Sequence, residues 1–216
     1  MTTSIRTMTD AGVSERRTNR RGHATRENML KAAVKALASG DPGAVSANKI
    51  ARDIGATWGA VKYQFGDNDG LWAAVLHYTA ERRAEVLTFA DTTAPLRQRV
   101  ADIIDTLYDG LTSTDSRAIE NLRAALPRDH AELEQLYPRT AAELSSWGQG
   151  WLETCQHAFA DLDVDPGRVA EVAEFIPGAM RGITSERQLG TYSDLDKARR
   201  GLTNAIVAYL EGSLPS

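Results

Sequence analysis

A chain of 216 residues, 42% hydrophobic, is long enough to bury a core without staples, and its single cysteine, Cys155, excludes an intrachain disulfide framework. No apolar run approaches the roughly 18 to 20 residues of a membrane span, and the N-terminus lacks the apolar stretch of a secretory signal, so a cytoplasmic protein with no membrane partner is expected. The net charge of −4 is lopsided: residues 1–65 hold 11 Lys or Arg against 5 Asp or Glu, about plus 6, while the remainder stands near minus 10.

A basic N-terminal part beside an acidic body attracts phosphates to one end and discourages the rest from wrapping on nucleic acid. An uneven solvated surface is the plain alternative. Residues 1–23 are rich in Thr, Ser, Arg and Gly with no sustained apolar period, which predicts a flexible basic arm. Its Arg16, Arg17, Arg20 and Arg21 could track phosphates or enter a minor groove, or belong to a tail with no fixed contact. A first helix is predicted from Thr25 as N-cap, with Glu27 in the positively polarised first turn. Met29, Leu30, Ala33, Val34 and Leu37 recur at the spacing of one buried face, and Gly40 with Asp41-Pro42-Gly43 ends the helix.

The segment from Ser46 to Phe65, SANKIARDIGATWGAVKYQF, reads as two short helices joined by a tight turn. Ala51 is small where two steeply crossing helices must approach, and Gly55 supplies the positive φ that ends the first of them. Ile50 and Ile54 face inward on that helix, and Val61 with Phe65 gives the second its apolar stripe. Ser46 and Thr57 are the predicted N-caps. The opposite face of residues 57–64 is left free to enter a major groove, the geometry of a helix-turn-helix. Thr57, Trp58, Lys62, Tyr63 and Gln64 are candidates for DNA contact there, together with Gly59, Ala60 and, at the preceding helix, Ser46 and Lys49. Gln64 could pair with adenine or reach only phosphate. Trp58 either packs on the DNA or lids the small core. Ala60 offers little beyond a methyl contact, so DNA shape should share the readout.

Gly66-Asp67-Asn68-Asp69-Gly70 breaks the chain before an amphipathic helix over 71–90, with Leu71, Val75, Tyr78, Arg82 and Val86 along one face. Beyond Pro95 the pattern predicts helices over 95–112, 115–125, 130–160, 166–186 and 194–211, the fourth opened by an Asp165 cap and Pro166. No alternating strand pattern competes, so the fold class is all-α.

Enzyme and metal readings are poor. Cys155 and His157 lie two apart on different sides of a helix, which suits neither a catalytic pair nor a metal clamp. Asp161-x-Asp163-x-Asp165 begins like a calcium loop, but Pro166 and Val172 stand where such a loop needs Gly and Glu. The four His have no metal-ligand spacing. No catalytic residue, metal or cofactor is expected.

Residues 25–76, TRENMLKAAVKALASGDPGAVSANKIARDIGATWGAVKYQFGDNDGLWAAVL, resemble the N-terminal part of the TetR family of bacterial transcriptional regulators. The resemblance lies in the order of first helix, Ser-capped second helix, Gly turn, recognition helix ending in Phe and Leu-rich fourth helix. The family's recognition helix commonly runs Ser, Lys, Gly, Thr, Leu, Tyr, His, His, Phe, where this chain has Thr57, Trp58, Gly59, Ala60, Val61, Lys62, Tyr63, Gln64 and Phe65. Lys62 occupies the usual phosphate-contacting tyrosine position, where a cation can serve the same phosphate, and Asn68 stands where a Lys often reaches the backbone.

The resemblance implies three parts: an arm over 1–23, a helix-turn-helix DNA-binding domain over 24–70, and a helical ligand-binding and dimerisation domain over 71–216. It also implies a homodimer through the last two helices. Their stripes are Val169, Val172, Ala173, Ile176, Met180 and Ile183, and Leu195, Leu202, Ile206, Tyr209 and Leu210; packing of both within one subunit is the alternative. A cavity for an apolar ligand would lie among Leu107, Tyr108, Leu111, Leu126, Tyr137, Trp147, Trp151 and Phe175, with plain core the favoured reading of any one of them alone. The expected function is a ligand-responsive regulator, a repressor released from a palindromic double-stranded DNA operator by a small apolar or amphipathic effector. The alternatives are a constitutive helix-turn-helix architectural or activator protein without a ligand, and an all-α enzyme.

Overall fold

Ten helices are defined in a computed structural model that describes residues 8–40, 46–53, 55–86, 93–191 and 194–212, and no strand occurs among those residues. They are α1 (Met8–Leu37), α2 (Ala47–Asp53), α3 (Trp58–Phe65), α4 (Asn68–Val86), α5 (Leu96–Gly110), α6 (Thr114–Ala125), α7 (His130–Leu136), α8 (Pro138–Phe159), α9 (Pro166–Leu189) and α10 (Leu195–Leu210). The all-α expectation holds. Ile54, the Asp41-Pro42-Gly43 turn and residues 87–90 lie outside the described residues.

The caps follow from local chemistry. Thr57 opens α3 with its hydroxyl accepting the Ala60 N–H at 3.2 Å, and Asp165 opens α9 by accepting the Arg168 N–H at 3.0 Å. Gly55 has φ +66, the left-handed conformation its place in the turn requires.

Helix α4 begins at Asn68, inside the predicted break, and α9 runs on to Leu189; two differences are larger. Helix α1 begins at Met8, so Thr25 lies inside it, and residues 8–23 are helical where an irregular arm is expected. Gly12 and Gly22 in that stretch oppose helix, but extending a helix already packed at its other end requires no new nucleus. The single helix predicted over 130–160 is two, because Tyr137 takes a non-helical φ of −137° before Pro138, which then serves as the first residue of α8.

Two hydrophobic cores result. The first joins Met29, Leu30, Ala33, Val34 and Leu37 of α1 to Ile50 and Ala51 of α2, Val61 and Phe65 of α3, and Leu71, Trp72, Val75 and Leu76 of α4. It also takes in Ala118, Ile119 and Leu122 of α6, so the N-terminal unit does not close on itself at Gly70. Asn121 of α6 reinforces that junction by donating to the Leu37 carbonyl at the end of α1, 2.7 Å away. Helix α4 is buried on more than the predicted stripe, since α1, α3, α6 and α8 all pack against it.

The second core unites Val100, Ile103 and Ile104 of α5, Cys155 and Phe159 of α8, and the stripes of α9 and α10. Val169, Val172, Ala173, Ile176, Met180, Ile183, Ile206 and Leu210 are buried within the one chain. These parts of both stripes pack within the one chain, the alternative left open by the sequence, while Leu195, Leu202 and Tyr209 of the α10 stripe stay half-buried. An apolar stripe shows that a face is covered, not what covers it. Arg99, buried beside this core, is neutralised by Asp161 at 2.5 and 2.7 Å and donates to the Ala158 carbonyl at 2.8 Å.

Candidate functional site

The α2–α3 pair presents a reading helix on a small, fully packed base. Val61 and Phe65 anchor α3 in the first core, and Arg26 of α1 lies over the Phe65 ring, 4.6 Å from its centroid. The outward face is then set by helical geometry. Lys62 and Tyr63 are exposed, Tyr63 to 88%, and Gln64 is half-buried with its carbonyl accepting from Arg26 at 3.5 Å. Thr57 and Gly59 are exposed at the start of the helix.

Trp58 and Ala60 are half-buried against the first core, so part of the Trp58 ring packs as a lid and part stays open. Ser46 precedes α2, its carbonyl accepting the Ile50 N–H at 2.9 Å. Lys49, three residues on, is bound to Asp53 at 3.0 Å on the surface of α2. The face combines an exposed ammonium, an exposed phenol and backbone open at Gly59, a set suited to phosphates and base edges rather than to bond-making chemistry.

What sequence reasoning missed is how this face is tied to the body. Asp69, buried in the first turn of α4, accepts the backbone N–H groups of Arg139 at 3.0 Å and Thr140 at 2.9 Å, the Thr140 hydroxyl at 2.8 Å, and Arg139 Nε at 3.1 Å. Burial alone would raise its pKa, but these donors reverse the effect and hold the carboxyl below its ordinary value. The Arg139 guanidinium also donates to the Phe65 carbonyl at the end of α3, 3.3 Å away, and pairs with Asp67. The start of α8 is thus fastened to the end of the reading helix. Seventy residues separate the partners, and no local pattern could have paired them.

The eight residues proposed from sequence as pocket lining do not converge. Leu126, Tyr137 and Trp147 pack with the first core; Leu107, Tyr108, Leu111 and Trp151 pack with the second. Phe175 belongs to neither and is 52% exposed on α9. Trp151 donates its indole N–H to the Ala173 carbonyl at 2.8 Å, tying α8 to α9. Trp147, one turn earlier, has its indole nitrogen buried with no partner among the described residues.

Of the residues weighed for catalysis, Cys155 is fully buried and desolvation pushes its thiol up to about 12, so the nucleophilic thiolate is suppressed at neutral pH. His157 is exposed, and Asp161 and Asp165 are engaged as ion-pair partner and helix cap. Among the described residues no helix is long and apolar enough to cross a membrane.

No family model and no curated protein matches the chain. Solved structures do. A putative TetR-family transcriptional regulator from Rhodococcus sp. superposes with a TM-score of 0.62 at 22% identity, covering 86% of this chain and 97% of that one. NalD, the secondary repressor of the MexAB-OprM multidrug efflux pump in Pseudomonas aeruginosa, gives 0.63 at 20% identity, covering 88% and 98%. A transcriptional regulator from Rhodococcus sp. Rha1 gives 0.68 at 15% identity, covering 87% and 96%. The chain has the fold of these regulators over 86–88% of its length.

Proposed function

We propose that this protein is a DNA-binding transcriptional regulator of the TetR family that acts as a homodimer and is released from a palindromic operator by a small amphipathic effector. One observation carries the reading. The outward face of α3, with Lys62 and Tyr63 exposed, sits on a buried base and is fastened through Arg139 to α8, so the reader moves with the body. Lys62 serves a phosphate, Tyr63 and Gln64 reach the groove, and Thr57 and Gly59 let the helix N-terminus approach the backbone. Trp58 supports the helix from below.

A reader of one short helix binds weakly, so two copies on one duplex supply affinity and half-site spacing. Repression is favoured by likeness to NalD, whose description is that of a repressor. Helices α4 and α8 run from the reader into the body, which makes them the levers by which an effector changes the spacing of two recognition helices. The test is selection of bound duplexes from a random library with the full chain. A two-fold symmetric consensus supports the reading; enrichment no greater than for a nonspecific cationic protein, or a single asymmetric half-site, defeats it.

A further inference from the structure

Helix α9 runs unbroken from Pro166 to Leu189 with Pro177 inside it. Proline has no backbone N–H, so Pro177 gives nothing to the carbonyl four residues back, that of Ala173, and its ring crowds the same oxygen. Ala173 is buried, only 2% exposed, where a carbonyl left without a donor is destabilising. Trp151 of α8 supplies the donor. Its indole N–H meets the carbonyl that Pro177 has released, at 2.8 Å. One turn earlier on α8, the Trp147 indole nitrogen has no partner among the described residues, so an indole on this helix is not bonded as a matter of course.

This bond differs in kind from its surroundings. Cys155 and Phe159 of α8 lie in one apolar cluster with Val169, Val172 and Ile176 of α9. Apolar burial is non-directional and lets packed helices slide and tilt, whereas a hydrogen bond to one carbonyl requires a distance and an angle. Among the described residues no other hydrogen bond or ion pair joins α8 to α9. The opposite end of α8 is held by Asp69, which accepts the Arg139 and Thr140 N–H groups, while Arg139 reaches the Phe65 carbonyl at the end of the reading helix. At 1.5 Å per residue, α8 rises about 18 Å from Arg139 to Trp151, so a tilt of about 10° at Trp151 moves the reader by about 3 Å. That is close to the rise of one base pair, about 3.4 Å.

We propose that Trp151 is a positioning residue: held on the carbonyl that Pro177 releases, its indole N–H sets the tilt of α8 on α9 and with it the spacing of the two reading helices in the dimer. This rests on the homodimeric regulator reading above and names the residue pair that fixes its geometry. Phe175, two residues beyond Ala173, is 52% exposed, so the helix that Trp151 grips also offers an open aromatic to a second chain.

The test is a double-mutant cycle on the full chain. Trp151→Phe removes the N–H and keeps an aromatic ring, and Pro177→Ala returns a backbone N–H to the Ala173 carbonyl. In urea, Trp151→Phe should raise the unfolding constant by about tenfold more when Pro177 is present than in the Pro177→Ala background, because the lost ring volume counts equally in both and cancels. Equal losses overturn the proposal. If Trp151→Phe alone does not fold, the double variant should; a double variant that stays unfolded overturns it too. The spacing is read by equilibrium binding to a two-fold symmetric duplex from the random-library selection and to the same duplex with one base pair added at its centre. The double variant, folded without the α8–α9 bond, should narrow the wild-type preference between the two by about fivefold while binding random DNA as the wild type does. An unchanged preference overturns the positioning role even where the cycle shows coupling. A wild type that selects no symmetric duplex defeats the regulator reading and the spacing role with it, a failure seen before any variant is made.

Discussion

Asp69 holds Arg139 twice, through the backbone N–H at 3.0 Å and through the guanidinium Nε at 3.1 Å, and so seats the start of α4 on the start of α8. The same carboxylate takes the next backbone N–H, that of Thr140, at 2.9 Å. In effect it caps α8 from another helix, with negative charge placed where the helix dipole favours it. Arg139, oriented by this grip, reaches the Phe65 carbonyl and Asp67 beneath the reading helix.

Asp69→Asn should therefore destabilise the protein by about 1 to 3 kcal/mol at neutral pH, the range for hydrogen bonds to a buried charged group. The pH dependence has a definite sign. The folded carboxyl is held below its ordinary value of 3.8, so its stabilisation is fully present above that pH and is lost as pH falls through the folded value. Urea unfolding from pH 7 to 2 should show wild type and variant converging below pH 3.8. A constant gap between them across the whole range would mean that the charge of Asp69 contributes nothing.

Gly70 sits against the same junction. A Cβ built there would lie 2.0 Å from the Phe65 carbonyl oxygen and 2.6 Å from Arg139 Nη1, and the first of these is backbone that cannot swing aside. Gly70→Ala should push α4 off the end of α3, lowering the thermal midpoint and DNA affinity together. Helix propensity alone would raise stability on this substitution, so an increased midpoint would show that the junction is looser than the close approach implies.

Features set by neighbours in sequence were legible in advance. The Thr57 and Asp165 caps, the turn at Gly55 and the inward faces of α1 to α3 follow from spacing and residue type alone. Contacts between distant residues were not. Nothing near Asp69 marks Arg139 as its partner. The stripes of α9 and α10 are legible as covered faces, but periodicity gives burial without naming the covering surface. Trp147 and Trp151 share a face of α8 yet serve different cores, since one turn carries the helix across the seam.

For the reading helix, Lys62→Ala should weaken binding to the operator and to random DNA alike and reduce the slope of log affinity against log salt by about one. Lys62 is exposed on α3, free to reach a phosphate, and a phosphate contact carries no sequence information. Equilibrium binding to a panel of single-base operator variants at several salt concentrations checks it. Loss confined to one base-pair variant with the salt slope fixed would make Lys62 a base reader.

In the homodimer proposed above, the subunit contact would use surfaces that the single chain leaves open. Ile206 is buried in the second core, so a charge there would unfold the chain rather than separate subunits. On α9 the open apolar side chains are Phe175, 52% exposed, and Leu189, 70% exposed, and Gly178 and Gly182 have room around them for a close helix approach. An exposed aromatic among small residues fits the buried anchor of a two-fold helix contact, where each copy of α9 meets the other. Phe175→Glu places two like charges on that axis in a dimer and only one solvated charge in a monomer. The variant should keep its helical circular dichroism and sediment as a monomer at concentrations where the wild type is dimeric, with operator affinity falling by about two orders of magnitude as the second half-site is lost. Loss of helical signal would instead show Phe175 to be needed for the fold of the single chain. An intact dimer with unchanged operator binding would move the interface off this face of α9.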